Sequence, residues 1–153
     1  MEGETVAMVD VTDKPETYRE ATASGLIKLK PPTVKLIKEC KIAKGDPLYT
    51  ARVAGVLAAK NTSALIPLCH PLPLTNVTVD AKILDNSSVE VTSTVKTKAQ
   101  TGVEMEALVA TSIALLTIWD MVKQYEKDAE GQYPTAKIEN IHVVKKVKKG
   151  RSK

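Results

Sequence analysis

Apolar residues change their spacing several times along this chain, and each change marks an element. TVAMVDV at 5–11 and YREATASGLIKL at 18–29 read as extended segments, the second alternating between apolar and polar positions. Pro31 and Pro32 break that pattern, and Thr33 is placed to cap the next segment. In TVKLIKEC, residues 33–40, Val34, Ile37 and Cys40 fall at helical intervals and predict a short helix. KIAKGDP at 41–47 reads as a turn, because Gly45 permits an unusual φ and Asp46 before Pro47 suits a helix start. A second helix is predicted over 48–62, LYTARVAGVLAAKNT. It runs up to LIPLCHPLPL, where Pro67, Pro71 and Pro73 forbid helix and hold an extended loop. Two strands follow, 74–84 and 89–97, joined by DNSS, a good hairpin connection. The longest helix is predicted over 101–127, and an imperfectly alternating strand over 137–147 closes the series.

Strand, two helices, two strands, helix and strand, in that order, predict an α+β fold. The arrangement expected is ferredoxin-like, an antiparallel sheet with helices packed on one face. No helix remains for the sheet's other face, so the chain is expected to oligomerise through the sheet and helices. Residues 1–153 are expected to form a single domain, with 1–12 an N-terminal arm and 146–153 a flexible basic tail.

Composition narrows the class. A 43% apolar content fits a globular domain, and two cysteines, Cys40 and Cys69, are too few for a disulfide framework or a four-ligand metal site. The start, MEGETVAM, is acidic where a secretion signal is basic, and ALVATSIALLTIW at 107–119 falls short of a membrane span, so the expected setting is cytoplasmic with no membrane contact. The net charge of +4 is concentrated in KKVKKGRSK, which reads either as a solvated tail or as a contact for RNA or another polyanion. With one Trp, four Tyr and no Phe, the chain lacks the aromatic platforms of a single-strand binder, and no nucleic-acid partner is expected.

Candidate chemistry sits at a few positions. A lone histidine is ordinarily structural, but the prolines around His70 immobilise it as a general acid or base must be immobilised. Cys69 beside it points the other way in extended chain, so a buried apolar role is expected in place of a Cys–His nucleophile pair. Glu104 and Glu106 open the long helix; capping explains one of them, and the other is bound to lean toward the apolar side. Asp120 and Lys123 lie three apart on one helix face, either as a surface ion pair or as a functional pair, since Asp120 interrupts the apolar run LLTIWDMV. Lys44 stands beside the glycine turn, where an ammonium and backbone amides can receive phosphate oxygens, though a solvated lysine is the ordinary alternative. Arg19 lies on the first predicted strand.

Four blocks together, MVDVTDKPETYREATASG, AKGDPLYTARVAG, LIPLCHPLPL and TGVEMEALVATSIALLTIWDMVK, resemble the cyclic pyranopterin monophosphate synthase family, the molybdenum-cofactor biosynthesis protein C family. The resemblance covers residues 8 to about 127. It implies conversion of 3′,8-cyclo-7,8-dihydro-GTP, the product of a radical S-adenosylmethionine GTP cyclase, to cyclic pyranopterin monophosphate with loss of pyrophosphate, a lyase reaction. It places the family's catalytic aspartate and lysine on Asp120 and Lys123, its active-site lysine on Lys44 and its histidine on His70. Substrate contacts fall on Leu68, Cys69, His70, Met105 and Glu106, with Glu104 and Arg19 beside them. The family precedent is a homohexamer, a trimer of dimers, with no resident cofactor or protein metal site, Mg²⁺ being conceivable with the substrate phosphates. Gln100 stands where many members have lysine, which puts a phosphate contact there in doubt.

A noncatalytic nucleotide-binding regulator on the same scaffold is the rival class; it needs phosphate contacts but no acid–base set. Glu106 and Asp120 are fourteen positions apart on one predicted helix, about 21 Å along its axis, so each pocket is expected to be shared between two chains.

Overall fold

The alternation at 18–29 is a strand, because it can bury one face completely. The computed structural model describes residues 3–150. Its elements are β1 Thr17–Lys28, α1 Pro31–Lys38, α2 Pro47–Lys60, α3 Thr62–Leu65, β2 Leu74–Asp85, β3 Ser88–Ala99, α4 Glu104–Glu126 and β4 Lys137–Lys149. Ala21, Ala23 and Ile27 of β1, with Val89, Val91 and Val95 of β3, are wholly inaccessible to solvent. The four strands lie in the order β2-β3-β1-β4, each pair antiparallel.

Over this face lies α4, which buries Ala107, Ala110, Ala114, Leu115, Ile118 and Val122 against it. Although the run 107–119 is short, the whole helix Glu104–Glu126 is long and apolar enough, by length and composition only, to cross a membrane. The apolar side chains of this helix fill the core instead. Beside it packs α2, brought close by Gly55: a Cβ there would stand 3.0 Å from the Val79 side chain and 3.1 Å from the Ala110 carbonyl.

The opposite face of the sheet is polar. Thr22 and Thr94 share a hydrogen bond across it at 2.8 Å, and Lys82 pairs with Glu90 at 3.3 Å. Exposed apolar side chains lie on the helices, with Tyr49, Val53 and Leu57 at four-residue spacing on α2 and Leu116 on α4, and on the strands, with Leu84 on β2 and Ile141, Val143 and Val144 on β4.

Several local expectations change. The extended arm expected at 5–11 lies outside the sheet and is exposed through Asp10, where it turns locally, with the Asp10 carboxylate accepting from Thr12 N at 2.9 Å and Val11 O from Lys14 N at 3.0 Å. Pro31 and Pro32 do not interrupt the chain before a helix but occupy the first turn of α1, where a missing N–H costs nothing. Thr33 is then inside the helix, and the cap comes from the far end of α4: Glu126 accepts from Lys30 N at 3.0 and 3.1 Å and from the Thr33 hydroxyl. The second helix ends at Lys60, and a separate short turn, α3, comes after it.

The imperfect alternation of the last strand is a bulge. Asn140 has φ +59°, and the register with β1 slips between Ser24↔His142 and Leu26↔Glu139. Beyond it β4 runs past the expected end at 147 to Lys149, so residues 146–149, placed in the tail by sequence, are paired with β1. Residues 151–153 of that tail lie outside the described residues, as do 1 and 2 of the arm.

Candidate active site

The two ends of α4 hold most of the ionisable residues picked out in the sequence. At its start the proline-held loop packs against the first turn, and Leu68, Cys69, His70, Glu104 and Met105 line a cavity of about 310 Å³. Glu106 is 3% exposed. The Cys69 thiol donates to its Oε1 at 3.8 Å, and its Oε2 is buried without a partner. Glu104 instead meets Lys146 Nζ at 2.7 Å.

These surroundings push the two carboxyls apart. Burial raises Glu106 above the ordinary glutamate value, and the nearby Glu104 charge adds to the rise. Burial is the largest influence on Glu104 and acts to raise it, but the Lys146 hydrogen bond, a backbone hydrogen bond and the Lys146 and Arg19 charges together outweigh it and leave that group below its ordinary value. One carboxyl is thus disposed to keep a proton while its neighbour stays ionised, the pattern of an acid and a base in one site. Burial, then the Glu106 charge, raises the Cys69 thiol, which disfavours the thiolate. Cys69 and His70 make separate contacts, the His70 ring turning to Val9 O at 2.7 Å.

A carboxyl raised by burial leaves a mark on stability. The folded state holds the Glu106 proton to higher pH than the unfolded state, so folding stability falls as pH rises from the ordinary value of 4.5 through the raised one. Glu106→Gln is expected to flatten that fall in denaturant unfolding monitored from about pH 4 to about pH 8. Parallel curves for the two proteins would contradict it.

Arg19 projects from β1 near this end. Its Nη2 approaches Gln100 O at 3.4 Å, and its Nε is buried without a partner. At position 100 a backbone carbonyl, and not a side-chain cation, therefore faces the arginine.

At the other end of α4, Asp120 stands between two ammonium groups: Lys44 Nζ is 3.0 Å from Oδ2 and Lys123 Nζ is 2.9 Å from Oδ1. Lys44 also donates to the Asp120 backbone carbonyl at 3.0 Å. Asp120 is not enclosed by its apolar sequence neighbours, as the run LLTIWDMV suggests; its side chain is 57% exposed, on the helix face it shares with exposed Leu116, while Leu115, Ile118, Met121 and Val122 face the core. Hydrogen bonds from Lys123 and then Lys44 hold the carboxyl below its ordinary range, and Asp120 in turn raises Lys123.

The turn carrying Lys44 is fixed from α4, with Ala43 N donating to the Tyr125 hydroxyl at 2.8 Å. Gly45 has the anticipated positive φ, +108°. The helix amides beyond it are not open to phosphate, however, since Asp46 caps Leu48 N at 2.9 Å and Tyr49 N at 3.1 Å.

Asp120 and Lys123 line a cavity of about 500 Å³ with Leu116, Trp119, Tyr133 and Ile138. The Trp119 and Tyr133 rings are 5.2 Å apart at 56°. Because α4 is continuous, this end lies about 21 Å from Glu106, and the fold does not bring the two clusters together within one chain.

Three residues at these sites have no clear signal in the sequence. Lys146 sits in a basic run that reads as a tail, although the alternation of 137–147 already puts it on a strand. Trp119 and Tyr133 lie in different elements, and no local pattern relates them. Among the described residues, no group of three His, Cys, Asp or Glu side chains is placed to hold a metal ion.

The MoaC family model matches residues 8–150 of the chain. Relatives named "Probable cyclic pyranopterin monophosphate synthase" include one from Sulfolobus acidocaldarius, 56% identical over 92% of this chain and 98% of its own. Another, from Saccharolobus solfataricus, is 57% identical over 92% of this chain and 94% of its own. A third, from Pyrococcus furiosus, is 56% identical over 96% and 94%. The match takes in both ends of α4, the Lys44 turn and the proline-held loop: the chain belongs to the MoaC family.

Proposed function

We propose that this chain is a cyclic pyranopterin monophosphate synthase, a lyase of molybdenum cofactor biosynthesis that converts 3′,8-cyclo-7,8-dihydro-GTP to cyclic pyranopterin monophosphate and releases pyrophosphate. The main support is the Asp120 carboxylate held between the Lys44 and Lys123 ammonium groups beside a cavity, in a chain whose relatives carry that name. Both ammonium groups can donate protons and neutralise phosphate oxygens, and ionised Asp120 keeps them at a fixed separation. At the other cluster Glu106 serves as a proton donor, ionised Glu104 and His70 as acceptors, and Leu68, Cys69 and Met105 shape the wall. Arg19 and Lys146 stabilise charge on the departing pyrophosphate. Incubating the chain with the cyclised GTP substrate should yield the cyclic monophosphate and pyrophosphate in equal amounts. Folded protein that yields neither would reject the assignment.

Each pocket joins the Glu104–Glu106 end of one subunit to the Asp120–Lys123 end of its partner, within a hexamer built as a trimer of dimers. The supporting observation is the 21 Å separation, about as long as α4 between the two clusters and longer than the substrate. Mixing inactive Glu106→Ala and Asp120→Asn proteins under conditions of subunit exchange is expected to restore part of the activity, since some pockets regain both groups. Exchange confirmed by mass spectrometry without activity would reject sharing.

The strand order β2-β3-β1-β4, antiparallel throughout, supports a ferredoxin-like topology. The substrate is supplied by a radical S-adenosylmethionine GTP cyclase in the cytoplasm; no nucleic acid, membrane or resident cofactor takes part, and any Mg²⁺ arrives with the substrate phosphates.

A further inference from the structure

The ring of His70 is held by a segment outside the sheet and helices. Its Nε2 lies 2.7 Å from the backbone oxygen of Val9. A carbonyl oxygen only accepts, so Nε2 carries the hydrogen and, in the neutral ring, Nδ1 carries the lone pair. The direction of the Val9 carbonyl is fixed by the turns immediately after it. The Asp10 carboxylate accepts from Thr12 N at 2.9 Å and from the Thr12 hydroxyl, and Val11 O accepts from Lys14 N at 3.0 Å, so the arm turns twice between 10 and 14. Val11 and Glu16 then share the walls of a cavity of about 270 Å³ with His70, Gln100 and Thr101. Pro71 restrains the backbone on the histidine side.

We propose that the N-terminal arm is a working part of the substrate site: the Val9 carbonyl, aimed by the Asp10 turn, is a positioning group that fixes the His70 ring with Nε2–H toward the arm and Nδ1 as its acceptor. The assignment of a substrate role to His70 rests on the function proposed above. The orientation of the ring does not, and it can be read without substrate.

The test compares the full chain with a variant lacking residues 1–9 and one lacking residues 1–7, each labelled with ¹⁵N-histidine. The chain has two histidines, and His142→Gln identifies the signals of His70. In the full chain and without residues 1–7, His70 is expected as the Nε2–H tautomer with a ring proton slow to exchange with water. Removing residues 1–9 should expose that proton to exchange. In turnover, the longer deletion should lower kcat about 10-fold or more, and His70→Ala should cost far less in that background than in the full chain. If the longer deletion does not fold, Asp10→Ala loosens the turn with the chain intact and should speed exchange of the same proton. An Nδ1–H tautomer in the full chain, identical exchange with and without the arm, or additive kinetic losses would each overturn the proposal. A chain inactive on the cyclised GTP substrate yet showing the expected ring signals would count against the function and leave the arm's role standing.

Discussion

Asp120→Asn is expected to lower turnover by about 10²–10⁴-fold while the chain stays folded. The loss follows from charge. Asparagine fills the same volume and can still accept one hydrogen bond, but it no longer holds two ammonium groups, at 2.9 and 3.0 Å, by attraction. Without the carboxylate, Lys44 and Lys123 repel each other, and the pair loses the fixed separation at which it would meet phosphate oxygens or donate a proton. The fold has little at stake, because the side chain is 57% exposed and exposed ion pairs contribute little to stability. Lys123→Ala should behave alike, removing a donor and no core volume. The measurements are initial rates of pyrophosphate release and a melting curve for each purified variant. Turnover within about twofold of the parent would remove Asp120 from the chemistry.

Glu126→Ala should have the largest effect on stability, about 2–4 kcal/mol, seen as a fall in Tm of about 5–15 °C. Its side chain is 1% exposed and joins the end of α4 to the start of α1. Both carboxylate oxygens accept from Lys30 N, at 3.0 and 3.1 Å, and one accepts from the Thr33 hydroxyl. Alanine leaves that N–H and hydroxyl buried without partners and removes a negative charge from a helix N-terminus. Glu126→Gln keeps an acceptor and should lose less. A Tm within about a degree or two of the parent for Glu126→Ala would show that water replaces the carboxylate at no cost.

The two sites differ in how far the sequence makes them visible. Asp120 and Lys123, three apart on a helix, share a face by helical geometry alone, and so their pairing is predictable. Lys44, 76 residues before Asp120, joins them only because Tyr125 takes the Ala43 amide and ties that turn to α4. Likewise the prolines around His70 announce a fixed histidine, but nothing in LIPLCHPLPL indicates that its ring is met by Val9.

What the sequence determined by itself is what local periodicity and local sterics control. The two-residue period of 18–29 and 89–97, the helical run ending in DMVK and the proline-held loop fix strands, helices and extended chain, because side-chain direction repeats with the backbone. Tertiary structure decided the rest. It placed Glu126 as the cap of α1, opposed Lys146 to Glu104 through the β1–β4 pairing, buried Glu106 while leaving Asp120 in solvent, and set the two clusters at opposite ends of α4. Each of these depends on the distance between residues remote in sequence. Burial and hydrogen bonding across that distance set charge state and partner, and neither has a period that the chain can display.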